Sequence, residues 1–336
     1  MRYFQVFLKN RRDFLRYTSL GLATVLSSLE AKAIVPWHLG HHGDFYFHQM
    51  AQNVYIMHGA KKRDADAQCF IHNPAFIESK NGIIIIDPGA SYVVGKAVLA
   101  QIKQISNKPV IAILITHYHS DHWFANGAVV ETYPNVKIYG HKNIIDSANK
   151  MYLEGAERKI SLRKAKSFHL PSYFIKDQEH LEIDGEDFII QHPKVAHCNS
   201  DITITHTQSN VIFLGDVVLE STLGYFSSIS SILENITFLE KLAKQKRYTL
   251  YVPGHGVSGS FEHTVEPYLY YLATIKEEVT KAYQQGQGIF ELQKAQESIK
   301  QKFTWKENFH FPLRFLESHM QFVYMELEND EDMFRV

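Results

Sequence analysis

Residues 116–122 read Thr-His-Tyr-His-Ser-Asp-His, which places His117, His119, Asp121 and His122 within six positions. Imidazole nitrogens and carboxylate oxygens are donors to zinc and to harder transition metals, and so dense a group carries far more signal than a lone histidine. The pattern raises the question of where the remaining donors lie.

A rigid strand aims the residues at its end toward one point, so the ends of short apolar runs are the places to look. The run 110–115 leads into the cluster itself. The run 188–190 is followed after a short loop by His197, 211–214 by Gly215-Asp216, 249–252 by Pro253-Gly254-His255, and 83–86 by Asp87-Pro88-Gly89. Taken singly these are weak: Gly-Asp reads as a turn, Gly-His-Gly as a flexible loop, and His197 as a surface or core histidine. Five expected strand ends each deliver a histidine or an aspartate.

The order His-x-His-x-Asp-His, then His197, Asp216 and His255, resembles the metallo-β-lactamase superfamily over roughly residues 53–257. The resemblance implies an α/β (α+β) fold, an αββα sandwich. It implies that His117, His119 and His197 hold one metal, that Asp121, His122 and His255 hold a second, and that Asp216 bridges them. Asp87 matches a residue that orients a ligand from behind. The implied cofactor is two Zn2+, although the same thiolate-free donor set also suits iron or manganese. A water shared by two such ions has its pKa lowered from 15.7 to about 7. The implied reaction is then hydroxide attack on an ester, thioester, lactone or lactam, with Asp121 as the catalytic residue that orients the nucleophile or shuttles a proton.

The substrate is less defined. Lactamases with a late Cys ligand place a Lys three residues after it, but here Asp216 is followed by Leu219. The pattern looks more like glyoxalase II and lactonases. The stretch AFIESKNGIIIIDPGAS, with the N-terminal signal, resembles periplasmic metallohydrolases found beside quinoprotein and sulfur-oxidation systems. Other readings are a mono-iron oxidoreductase similar to persulfide dioxygenases, a class of β-lactamase, a nuclease, and a metal carrier using His38, His41, His42 and His48. A net charge of −1 argues against nucleic acid as the partner, and a small molecule is expected instead. The basic run 241–247 reads as a solvated helix face. The loop 59–68, Tyr225 and Phe226 are expected to border the pocket. Cys69 and Cys198 are left without a role, and their pairing is open.

The elements that must position these residues follow from the pattern. Short apolar runs at 54–57, 83–86, 110–115, 188–190 and 211–214 read as strands buried on both faces, and 202–205 as an alternating one. Helical spacing marks 93–105, 143–166 and 231–246, and the chain reads as helical from 266 onward, with breaks near 286–288 and Pro312. The expected organisation is a signal peptide over 1–33, a metallo-β-lactamase-like domain over 34–260, and a helical C-terminal extension over 261–336.

Residues 11–16, Arg-Arg-Asp-Phe-Leu-Arg, resemble the twin-arginine export signal of bacteria. A short apolar stretch from Leu20 to Leu26 and an Ala31-Lys32-Ala33 cleavage site follow. The stretch falls short of the ~20 residues a membrane span needs. The expectation is a periplasmic protein starting at Ile34, with no stable membrane span after cleavage.

Overall fold

The computed structural model describes residues 46–59, 71–154, 168–220, 222–304 and 315–333. Contacts divide the chain into Met1–Val35 and Pro36–Val336, and every described residue lies in the second unit. The expected signal peptide, the histidines at 38, 41 and 42, most of the loop 59–68, Cys69 and Pro312 fall outside the described residues.

One sheet has seven strands that are neighbours in chain order: β1 (His48–Ala51), β2 (Val54–Ile56), β3 (Ala75–Glu78), β4 (Ile83–Ile86), β5 (Val110–Ile115), β6 (Lys137–His141) and β7 (Tyr173–Ile175). Pairing is antiparallel from β1 to β4 and parallel from β4 to β7. The other sheet is built from β8 (His180–Ile183), β9 (Glu186–Gln191), β10 (Thr203–His206), β11 (Val211–Leu219) and β12 (Leu250–His255), in the order β12-β11-β10-β9-β8.

Parallel neighbours need crossovers, and helices supply them. Helix α1 (Tyr92–Ile105) joins β4 to β5, and α2 (Ser120–Trp123) and α3 (Asn126–Thr132) lie between β5 and β6. Next come α4 (Asn143–Ala148) and a π-helical turn, Asn149–Glu154. Helix α5 (Ile232–Gln245) joins β11 to β12, whose mutual pairing is parallel. Among the described residues after β12 the elements are helices: α6 (Phe261–Thr264), α7 (Glu266–Gln284), α8 (Gln293–Thr304) and α9 (Leu316–Met333).

Alternation along each strand sorts its side chains into layers. Ile84, Ile86, Ala112 and Leu114 face the second sheet and meet Ile190, Ile204, Phe213 and Val252. Ile83, Ile85, Ile113 and Ile115 face the other way, against Val94, Val98 and Ile102 of α1. On the far side, Ile212, Leu214 and Tyr251 pack against Ile236 and Leu239 of α5, Tyr268 and Leu272 of α7, and Met320 and Val323 of α9. Both sheets are therefore covered on both faces, which is why their central strands read as unbroken apolar runs. The result is an αββα sandwich with further helices on the outer side of the second sheet.

Boundaries differ from the sequence reading at instructive places. The helix expected over 143–166 is seen as α4 and the π turn as far as residue 154. The runs 211–214 and 249–252 are longer strands, so Asp216 and His255 sit inside β11 and β12 rather than after them. Gly215 hides the continuation. Its φ of 52° breaks the register between Phe213 and Gly215, and a Cβ there would meet Thr116 of the facing sheet at 2.8 Å.

Candidate metal centre

The motif that follows β5 has two local conformations. His119 has extended backbone and caps α2, so His117 and His119 project to one side while Tyr118 turns into the core, 2% exposed. The single turn of α2 then presents Asp121 and His122. Trp123 Nε1 donates to Tyr118 O at 2.7 Å and closes the loop on itself. Tyr152, from the π turn, accepts the Ser120 N–H at 3.1 Å.

The second sheet brings the other donors to the same place. His197 lies on the loop between β9 and β10, Asp216 in β11 and His255 at the end of β12. Two groups form: His117, His119, His197 and Asp216 in one, and Asp121, His122 and His255 in the other. Within each group the candidate donor atoms lie within 4.8 Å of one another. His119 Nδ1 is 3.1 Å from His117 Nε2 and 2.9 Å from His197 Nε2. Asp216 Oδ2 is 3.7 Å from His117 Nε2 and 3.5 Å from His197 Nε2. Asp216 Oδ1 faces the other way, 3.2 Å from His122 Nε2 and 3.4 Å from His255 Nε2. Asp121 Oδ2 is 3.4 Å from His255 Nε2. All seven residues singled out in the sequence are thus brought together around one carboxylate.

The nitrogens pointing away from the centre are largely fixed. His122 Nδ1 donates to Asp87 Oδ2 at 2.8 Å, and His255 Nδ1 to Ile71 O at 2.6 Å. His117 Nδ1 donates to Thr116 Oγ1 at 3.0 Å, and that hydroxyl donates to Asp87 Oδ2 at 2.6 Å. Asp87 therefore steadies a histidine of each group, one directly and one through Thr116. Such partners fix the tautomer, so that the opposite nitrogen presents its lone pair.

Burial and charge divide the histidines. Burial pushes His117 well below its usual range, lowers His119, and brings His197 down to about 3, leaving three neutral imidazoles. Burial acts the same way on His122 and His255, but nearby carboxylates outweigh it. Asp216 and Asp87 hold His122 well above its usual range, and Asp216 and Asp121 raise His255 to about 9. Burial would raise Asp121 and Asp216, yet the surrounding imidazoles hold both well below the usual carboxylate range. In the metal-free protein, protons on His122 and His255 balance the two carboxylates.

These residues fit a metal ion. Asp216 Oδ1 is buried between His122 Nε2 at 3.2 Å and His255 Nε2 at 3.4 Å, and a cation that displaced the protons of those two rings would be held by the lone pairs of all three atoms. Every donor is nitrogen or oxygen. Cys198, although adjacent to His197, spends its thiol on Asp201 Oδ1 at 3.0 Å and the Ser200 hydroxyl at 3.2 Å.

Of the other expected pocket residues, Tyr225 is 59% exposed, whereas Phe226 is buried with its ring 5.9 Å from that of His197. Three residues escaped the sequence reading. Thr116 is the relay just described. His72 is fully buried with its ring 5.2 Å from that of His122, and it donates from Nε2 to Asp87 O at 2.9 Å. Asn73 donates to Pro253 O and Gly256 O on either side of His255, at 2.9 and 2.8 Å. Thr116, beside the motif, was the one within reach of a sequence argument.

Comparison with known proteins agrees with this geometry. The family model described as "Metallo-beta-lactamase superfamily" matches residues 67–255. A probable metallo-hydrolase of Streptococcus pyogenes is 25% identical over 196 residues, covering 57% of this chain and 82% of the relative. A hydroxyacylglutathione hydrolase of Prochlorococcus marinus is 28% identical over 170 residues, covering 49% of this chain and 58% of the relative. Among solved structures, a stereoselective inverting sec-alkylsulfatase from a Pseudomonas species superposes with a TM-score of 0.63 at 14% identity, over 84% of this chain. This chain spans 50% of the length of that structure. At such identity the likeness speaks to the fold alone.

Proposed function

The chain belongs to the metallo-β-lactamase superfamily, and on that footing we propose that it is a hydrolase with a dinuclear zinc centre, cleaving an ester, thioester, lactone or lactam type of bond in a small molecule. The observation that supports this most is the carboxylate of Asp216, whose Oδ2 faces one set of donors and whose Oδ1 faces the other. His117, His119 and His197 are the proposed ligands on the first side, and Asp121, His122 and His255 those on the second. Imidazole and carboxylate without thiolate suit zinc, with iron and manganese as competitors.

Two divalent ions held there would supply Lewis acidity and a water-derived nucleophile at neutral pH. The protein's own contribution is positional. The buried His117, His122 and Asp216 form the floor of the site, with side chains 1%, 0% and 8% exposed. Asp121, 16% exposed, stands at the rim beside His255. Ionised at neutral pH, Asp121 is placed to orient an attacking water and take its proton at a carboxylate oxygen. Leu219 is buried at 2% exposure and offers no cation to a substrate carboxylate, which favours esters, thioesters and lactones over lactams. The relative named hydroxyacylglutathione hydrolase points the same way, and the twin-arginine-like segment supports a periplasmic location.

Elemental analysis of protein matured in its own periplasm tests this reading. About two zincs per chain, with turnover in a panel of lactones, thioesters, sulfate esters and lactams, is the expected result. About one iron per chain, with oxygen uptake on thiol or persulfide substrates, would overturn it. Replacing His117 and His119 together with alanine should abolish both metal and turnover.

A further inference from the structure

The family match ends at residue 255, yet side chains from the last helix reach back to the loop that carries His197. Glu326, in α9, lies against the N-terminus of α5. Its Oε1 accepts the Ile232 N–H at 2.8 Å, and its Oε2 accepts the Ser231 hydroxyl at 2.5 Å and the Leu233 N–H at 3.3 Å. Ser231 is the N-cap of α5 and itself accepts the Glu234 N–H at 3.0 Å. The first-turn N–H groups of one helix are thus satisfied largely by a carboxylate from another, with its charge at the positive end of the helix dipole. That N-terminus is tied to the metal-site loop: Ser231 N donates to Ala196 O at 2.9 Å, and Ser230 Oγ to His197 O at 2.6 Å.

Seven residues before Glu326, on the same face of α9, His319 makes a second connection. It is fully buried and donates from Nε2 to Gly224 O at 2.9 Å, which leaves Nδ1 to accept the Tyr271 hydroxyl at 3.1 Å. Gly224 abuts His197, since a Cβ on it would lie 3.4 Å from His197 Nδ1. The Phe226 ring stands edge-on to both histidines, with centroids 5.0 Å from His319 and 5.9 Å from His197.

These two connections matter because of what His197 lacks. His117, His122 and His255 each have a hydrogen-bond partner on the nitrogen facing away from the centre. His197 Nδ1 is buried without one. Its ring is oriented by packing and by its backbone, and α9 supports both.

We propose that α9 is a positioning element for the site formed by His117, His119 and His197, acting on His197 through Glu326 and His319. The proposal rests on the metal reading above, and the test separates the two. Full-length protein is stripped of metal and titrated with Zn2+ against a competing chelator, and with Co2+ for its absorption bands. His255→Ala leaves the three-histidine site, and His197→Ala leaves the other. In the His255→Ala background, Glu326→Ala and His319→Phe should each weaken Zn2+ binding about tenfold and alter the Co2+ bands, as loss of an outer-shell partner does. In the His197→Ala background the same changes should alter affinity by less than about twofold, as distant sites do. His319→Gln, whose amide can replace both hydrogen bonds, should restore the affinity. Ser230→Ala removes the hydrogen bond to His197 O along with the one that the same hydroxyl accepts from the Ser227 N–H at 2.9 Å. It leaves α9 untouched, should weaken the three-histidine site, and decides the matter should the helix variants fail to fold. Equal losses in both backgrounds, or no loss, would overturn the proposal. Wild-type protein that takes up no metal would overturn the metal reading itself, and this proposal with it.

Discussion

Asp87 and His122 face each other across the ends of β4 and α2, with His122 Nδ1 donating to Asp87 Oδ2 at 2.8 Å. The same carboxylate accepts the Thr116 N–H at 2.8 Å and its hydroxyl at 2.6 Å. Asp87 adopts a φ of 48°, which Asp and Asn tolerate better than most residues. Asp87→Asn should therefore fold normally yet leave His122 and Thr116 poorly oriented. Metal affinity should fall about 10- to 100-fold, read by Zn2+ competition titration. Wild-type affinity in this variant would remove Asp87 from the site's support.

Metal loading should release protons. His255, with a pKa raised to about 9, and His122, held well above 6.5, are both charged at neutral pH in the metal-free protein. A ligand must give up its proton to bind, so about two protons should leave per chain loaded at pH 7. Calorimetric titrations in buffers of different ionisation enthalpy measure the number. Zero release would contradict the charge assignment.

The same shift sets a stability slope for the metal-free protein. The folded pKa of His255, about 9, lies above the ordinary 6.5, so its contribution is full below 6.5 and is lost as pH rises through 9. His197, at about 3, acts in the opposite window: its contribution is present above 6.5 and is lost as pH falls toward 3. The Tm of chelator-treated protein should decline from about pH 6.5 to 9 and again toward acid. Metal-loaded protein should lack the alkaline decline.

Gly254→Ala should disable the centre. A Cβ at this position would overlap Asp216 Oδ1 and crowd the Gly215 backbone. Overpacking of this kind costs about 1–3 kcal/mol. If the centre holds two ions as proposed, displacement of Asp216 should reduce both together, which metal analysis would reveal. Two ions retained at wild-type affinity would show that Asp216 does not join the groups.

Asn73→Ala should loosen the link between the sheets. Asn73 accepts the Gly59 N–H at 2.9 Å and donates to Pro253 O and Gly256 O. Losing these hydrogen bonds, at about 1 kcal/mol each, should lower stability by about 2–3 kcal/mol in denaturant unfolding. Stability within experimental error of wild type would refute the role.

Much of the site could be read from the chain because its donors cluster at 116–122 and otherwise stand near the ends of apolar runs. The limits of that reading are equally physical. Gly215 interrupts the apolar pattern where β11 continues to Leu219, so Asp216 looked like a turn residue. β7 is three residues long with two exposed, and β6 is split by Gly140, so neither gave an apolar run. His72, Glu326 and His319 act through contacts that no local spacing encodes. His319 and Gly224 are 95 positions apart, and only the completed fold brings them together.

The seven groups are divided between the sheets. His117, His119, Asp121 and His122 follow β5 of the first, while His197, Asp216 and His255 belong to the second. A chain emerging from the ribosome displays the opening cluster 133 residues before His255 appears, counting from His122. Through that interval it exposes histidines with no enclosing pocket. Metal capture at the full centre is therefore a late event in the life of each molecule, and a chain truncated anywhere before residue 255 could carry the signature motif without ever completing the cage.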